Sequence, residues 1–142
     1  MKKNYFLSKI TTFLLCFILL ASTTVAFAAS TPLMSYNGKE IRAKASVNNF
    51  KLTNQTTFTI DHNQTINAAY KARESSCSMT VKLQKKGTIV YSDTGDSVKT
   101  YGTDGFRKSY TKSSGTYRLY FSSTALSDGI IPSFDINGTV KK

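Results

Sequence analysis

His62 is the only histidine of this 142-residue chain, and Cys16 and Cys77 are its only cysteines, so a nucleophile–base pair has few members to draw on. His62 sits in the polar run Asp61-His62-Asn63, which reads as a solvated hairpin-like turn. Cys77 reads as a small apolar residue in a strand. The two bracket a strand expected over 65–73. At about 3.3 Å per residue that strand holds them roughly 25–30 Å apart, beyond the contact a thiolate–imidazole dyad needs. No Gly-x-Ser-x-Gly elbow, His-Glu-x-x-His pair, phosphate-cradling glycine loop or paired-cysteine metal spacing occurs. Glu40 and Glu74, the only glutamates, stand in basic or turn surroundings. A two-carboxylate hydrolase would have to be assembled from loop aspartates, and no spacing marks such a pair. Asp93, Asp96 and Asp104 fall in two neighbouring turn segments and have the oxygen chemistry for Ca²⁺, but aspartate also serves turns by local hydrogen bonding. The reading is therefore non-catalytic, with no cofactor and no metal. The Asn-x-Thr sequons at Asn54, Asn63 and Asn137 are read as plain polar turns.

Residues 1–28 carry the three parts of a secretory leader. Lys2, Lys3 and Lys9 lead, an apolar run extends from Phe13 to Ala21, and Ala26-Phe27-Ala28 supplies the small-residue cleavage signal. Nine apolar residues fall short of the roughly 20 that cross a bilayer. Cys16 lies within the apolar run, not after a cleavage point, so a lipoprotein is not expected. The short lysine-rich leader suggests a bacterial, extracellular protein. Removing 28 of 142 residues leaves 114, the size of one domain with a core of its own. Three lysines leave with the leader, so 16 Lys+Arg face 8 Asp+Glu, a net charge of +8. Cys77 is then alone, and no internal disulfide forms.

The elements that must position any site are strands. Period-two alternation recurs: Ile41 to Val47, Phe50 with Leu52, Phe58 with Ile60, Ile66 to Ala72, Cys77 to Leu83, Ile89-Val90-Tyr91, Val98 to Tyr101, Phe106 to Thr111, Tyr117 to Phe121, and Phe134 to Val140. Turn formers separate them, at Asp61-His62-Asn63, Glu74-Ser75-Ser76, Lys86-Gly87, Thr94-Gly95-Asp96, Thr103-Asp104-Gly105 and Ser113-Ser114-Gly115. Residues 29–38 read as a flexible lead-in, and a helical turn is possible only near Ser123 to Ser127. Eight or nine short strands define an all-β antiparallel sandwich of jelly-roll or Ig-like type over 39–142.

One pairing extends to a surface. If 65–73 and 77–85 form a hairpin with their apolar residues on one face, Lys71, Arg73 and Lys82 share the outward face. Lys85 and Lys86 continue this basic cluster at the strand end. On the strand Tyr117-Leu119-Phe121 the outward residues are Arg118 and Tyr120, a pair suited to stacking on a sugar or a base.

The run Ser114-Gly115-Thr116-Tyr117-Arg118-Leu119-Tyr120-Phe121 resembles the penultimate strand of secreted bacterial β-sandwich modules such as pre-peptidase C-terminal domains. A small-Gly-x-Tyr entry precedes an alternating strand there, and one further strand closes the fold; Phe134 to Val140 is placed to be that strand. The resemblance implies architecture and no activity. The acidic strand of those modules has no counterpart, since Met79 to Gln84 carries lysine.

Charge and missing chemistry together predict a secreted, non-catalytic binding module. Its partner is an anionic cell-wall polymer or an acidic protein, held by Lys71, Arg73, Lys82, Lys85 and Lys86. Nucleic acid is not expected, because basic and aromatic residues do not interleave as an RNA-binding sheet requires. Neither is stable membrane insertion after leader cleavage. The competing reading is a secreted antagonist, either a bacteriocin-like toxin or an inhibitor of a secreted enzyme.

Overall fold

A computed structural model describes residues 32–42 and 44–142, with side chains 44–46 excluded. The expected leader, its expected cleavage site and Cys16 lie outside the described residues. Eight strands are present: β1 (Pro32–Ile41), β2 (Lys44–Leu52), β3 (Thr56–Ile66), β4 (Ser78–Lys86), β5 (Tyr91–Tyr101), β6 (Gly105–Lys112), β7 (Gly115–Ser123) and β8 (Phe134–Lys141). They form two four-stranded antiparallel sheets, ordered β1-β8-β3-β6 and β2-β7-β4-β5. Every connection passes between the sheets except β4–β5, a hairpin within one. This order is the double Greek key of a jelly roll, which resolves the two sandwich types expected from the sequence.

Alternation decides which side chains meet between the sheets. Met79, Val81 and Leu83 of β4 and Tyr117, Leu119 and Phe121 of β7 are buried, as are Phe134, Ile136 and Val140 of β8. Each such side chain contributes about 1.5–3 kcal/mol by leaving water. Aromatic rings join the layers: Phe50 meets Phe58 edge-on with centroids 5.3 Å apart and stacks on Tyr117 at 5.8 Å. As the sequence pattern suggested, the strand after Gly115 is the penultimate one and β8 closes the fold.

Several expectations are corrected. The pattern read as one strand over Ile41 to Val47 straddles the β1–β2 connection, and residues 32–38 of the supposed lead-in belong to β1. Ile89 and Val90 form a turn, not a strand. The strand expected over 65–73 does not exist: β3 ends at Ile66, and Ala68–Ser76 is a 3₁₀ segment. That segment holds alanines, Lys71, Arg73 and Glu74 but no β-branched residue, so its composition favours helix over strand. Asn67 caps it, its Oδ1 accepting from Ala69 N at 3.0 Å. The residues near Ser123 to Ser127 form no helix.

The largest correction concerns His62. It is fully buried inside β3, facing the core with Phe58, Ile60, Gln64 and Ile66. Its ring lies 5.2 Å from Phe106 and 5.6 Å from Phe121, centroid to centroid. Gln64 Nε2 donates to Gly102 O at 2.7 Å, and Gln64 Oε1 accepts from Thr100 Oγ1 at 2.6 Å. That amide oxygen also faces His62 Nε2 at 3.4 Å, so Nε2 carries the proton and Nδ1 accepts from the Tyr36 hydroxyl. Burial, partly opposed by the Gln64 hydrogen bond, lowers the His62 pKa from 6.5 to about 4. Burial and the Asp61 charge raise that of Tyr36.

Candidate binding face

The expected basic cluster is dispersed, because β4 pairs with β5 and β7 and not with residues 65–73. Lys71 and Arg73 stand on the 3₁₀ segment. Lys71 pairs with Glu74, and Arg73 Nη1 lies 2.6 Å from Asp128 Oδ2. Lys85 turns toward the β6–β7 turn, donating to Ser113 Oγ at 3.0 Å with its ammonium 5.5 Å from the Tyr117 ring centroid. Lys86 is exposed at the end of β4. Only Lys82 occupies the outer face of a sheet as expected, and there it meets the other candidate pair.

Register does this. Lys82 lies opposite Tyr120, and Gln84 opposite Arg118, on adjacent strands β4 and β7. From the other side β5 brings Asp93 opposite Gln84. Arg118 Nε donates to Gln84 Oε1 at 2.9 Å, which turns the amide nitrogen outward to donate to Asp93 Oδ1 at 2.7 Å. Asp93 Oδ2 accepts from Lys82 Nζ at 2.8 Å. The Arg118 guanidinium carbon stands 4.0 Å from the centroid of the Tyr91 ring, a stacked cation–π contact. Hydrogen bonding by Lys82, then Gln84, lowers the Asp93 pKa, and Asp93 in turn raises that of Lys82. Lys82, Gln84, Asp93, Arg118, Tyr120 and Ser122 line an open depression of about 470 Å³.

A bulge lets β5 reach this geometry. The β4–β5 register shifts between Lys82 and Gln84, where Gly95 adopts φ +86° and Thr94 Oγ1 donates to Leu83 O at 2.9 Å. Thr94-Gly95-Asp96, expected to be a turn, is therefore a mid-strand irregularity. Sequence reasoning found Lys82, Arg118 and Tyr120 from strand phase alone. It missed Gln84, Asp93 and Tyr91, whose approach depends on cross-strand register and on that bulge.

The three aspartates considered for calcium are not brought together. Asp93 is engaged as above, Asp96 pairs with Lys112 within β5–β6 surroundings, and Asp104 accepts from Gly105 N at 2.7 Å beyond the far end of β5. Burial would raise the Asp96 pKa, but hydrogen bonds from Lys112 and Thr94 outweigh it and the net shift is downward. Among the described residues no group of three or more His, Cys, Asp or Glu converges on a metal position. Cys77 is fully buried, and desolvation raises its thiol pKa. The strand invoked to separate it from His62 is absent, yet both ring nitrogens of His62 are already engaged, by Tyr36 and Gln64. The sequons at Asn63 and Asn137 are mid-strand, not in turns. These residues pair in register with each other and, through Asn137, with Asn37, making a polar row across the other sheet.

Charge is sorted along the sandwich. One end carries the β2–β3, β4–β5 and β6–β7 turns and the last residues of β8. Lys51, Lys85, Lys86, Lys112, Lys141 and Lys142 lie there, with no acid in the turns; near this end Asp93 pairs with Lys82 and Asp96 with Lys112, both from β5. The opposite end gathers Glu40, Glu74, Asp104, Asp128 and Asp135 among its basic residues.

The protein is thus an all-β jelly-roll sandwich with a polar, aromatic depression on the outer face of one sheet. No protein-family model matches it, and no curated protein does. Among solved structures it is similar to PirA, with a TM-score of 0.48, 9% identity, and coverage of 80% of this chain and 98% of that one. It is also similar to the Yersinia pseudotuberculosis-derived mitogen, with a TM-score of 0.41, 11% identity and coverage of 77% and 86%. A third similarity is to the infectious bursal disease virus Gx strain structure, with a TM-score of 0.42, 6% identity, and coverage of 79% of this chain but 31% of that one.

Proposed function

We propose that the protein is a secreted, non-catalytic module that binds an anionic, sugar-bearing polymer of the cell envelope in the depression on the β2-β7-β4-β5 sheet. The observation that carries this reading is the linked series Tyr91–Arg118–Gln84–Asp93–Lys82, with Tyr120 beside it. Planar amide, carboxylate and guanidinium groups held by one another keep fixed directions, which suits recognition of sugar hydroxyls. Tyr120 offers a ring for stacking, and Arg118 offers a charge that pairs bidentately with phosphate or carboxylate. Lys86, two residues beyond Gln84 on the same strand face, extends positive charge toward the lysine-bearing end.

The test is retention of the protein on isolated cell wall across a salt series. Retention is expected to fall steeply with salt, and to drop several-fold for Arg118→Ala and Tyr120→Ala. Retention undiminished at about 1 M salt, where screening acts within about 3 Å, overturns the reading. Capture of an acidic secreted protein in place of wall would assign the face to that partner.

A further inference from the structure

The β4–β5 turn, Gly87–Val90, ends in two aliphatic side chains that nothing in the sandwich covers. Ile89 is 86% exposed and Val90 65%, the most exposed large hydrophobic residues among those described. The turn is closed rather than frayed: Gly87 N donates to Val90 O at 2.8 Å, and Lys86 pairs with Tyr91 directly beneath. Two adjacent β-branched apolar residues at a closed tip are a costly exposure unless something apolar receives them. Their surroundings say what kind. The tip projects from the end of the sandwich that carries Lys51, Lys85, Lys86, Lys141 and Lys142 and no acid in its turns. An apolar wedge on the same end of the sandwich as these lysines matches an apolar phase beneath a layer of negative charge.

We propose that the Ile89–Val90 tip inserts reversibly into the surface of an anionic bilayer while the surrounding lysines meet lipid phosphates. Neither part suffices alone: two aliphatic side chains give weak partitioning, and surface lysines give weak, salt-screened attraction. Together they supply the paired signals that peripheral attachment requires. End-on docking leaves the depression with Arg118 and Tyr120 on the flank, open to a polymer above the membrane. This inference goes beyond the polymer reading and stands without it.

The chain has no tryptophan, so Val90→Trp places a single fluorophore on the tip. On vesicles of phosphatidylcholine mixed with phosphatidylglycerol its emission is expected to shift to the blue, and on phosphatidylcholine alone to stay unshifted. Because the reporter sits on the tip, adsorption through any other segment does not move it. Adding Ile89→Asp should weaken the response about tenfold or more, the scale of one buried aliphatic side chain. Adding Lys85→Glu with Lys86→Glu should abolish it at moderate salt. If Val90→Trp disturbs folding, judged by circular dichroism, Thr88→Trp on the same exposed turn carries the reporter. Unmoved emission on anionic vesicles, or an equal shift on neutral ones, overturns the proposal. So does a shift produced by a secreted-protein fraction and not by vesicles, which would assign the tip to a protein. Arg118→Ala combined with the reporter separates the two proposals, since it is expected to keep the shift and lose retention on cell wall.

Discussion

Tyr36 hydrogen-bonds His62 at 2.9 Å across the full width of an intervening strand. Strand β8 separates β1 from β3, and its residue in register with both is Gly138. A Cβ at that position would overlap the Tyr36 hydroxyl and the Asp61 carbonyl. The missing side chain is what lets the phenol lie over the backbone and reach the imidazole.

Gly138→Ala is accordingly expected to destabilise the fold by about 1–3 kcal/mol, the usual cost of overpacking a closed site. Tyr36→Phe keeps the ring but strands the acceptor nitrogen of His62, at a cost of about 1–3 kcal/mol. Denaturant unfolding measures both. Gly138→Ala combined with Tyr36→Phe should cost less than the two changes summed, because the clash and the bond share one atom.

Acid should weaken the protein through His62. The folded pKa of His62, about 4, lies below its ordinary 6.5, so the unfolded chain binds the proton more readily. Stability contributed by neutral His62 is complete above pH 6.5 and is lost as pH falls toward 4. Integrated over that interval the loss is about 3 kcal/mol. Glu74, whose pKa is lowered to about 2 first by Lys71 and then by Thr103, loses its contribution only below 4.5. Unfolding midpoints measured through this window should therefore slope for the wild type and flatten for His62→Gln.

Phe121 touches both Tyr36 and His62, with ring centroids 5.6 Å from each. Phe121→Ala should cost about 3–5 kcal/mol. Arg118→Ala, on the outer face of the same strand, should cost only about 1 kcal/mol, the usual worth of one part-buried hydrogen bond. Thermal melts of the two variants check the contrast, and wall binding should rank them in the opposite order.

Thiol counting tests leader removal and burial together. With the leader cleaved, one thiol per chain reacts in denaturant and none in the native protein, because Cys77 is fully buried. A second thiol in denaturant would mean that Cys16 is still attached.

Strands carrying large apolar residues in strict alternation were legible in the sequence. Met79-Val81-Leu83 and Tyr117-Leu119-Phe121 face the core as their spacing required. The second half of β3 was not, because its inward positions hold His62 and Gln64, polar residues that only a buried network makes acceptable. Residues 65–73 misled in the opposite direction. Alanines at alternate positions imitate a strand while burying almost nothing, and beyond Ile66 the 3₁₀ segment Ala68–Ser76 has no buried residue. Ile89 and Val90 misled because β-branched residues favour strands, whereas here they crown a turn. At the candidate site, phase along β4 and β7 identified Lys82, Arg118 and Tyr120. The bulge at Gly95, which sets Asp93 beside Gln84, leaves no signature short of the three-dimensional pairing.

Among the described residues, β1 takes its only in-sheet partner from β8, Pro32 meeting Lys141. Strand β8 also pairs with β3, so it occupies the interior of its sheet rather than a rim. A nascent polypeptide therefore cannot finish this architecture until β8 has emerged. Deleting β8 would split the sheet through its middle, leaving β1 without a strand to pair with.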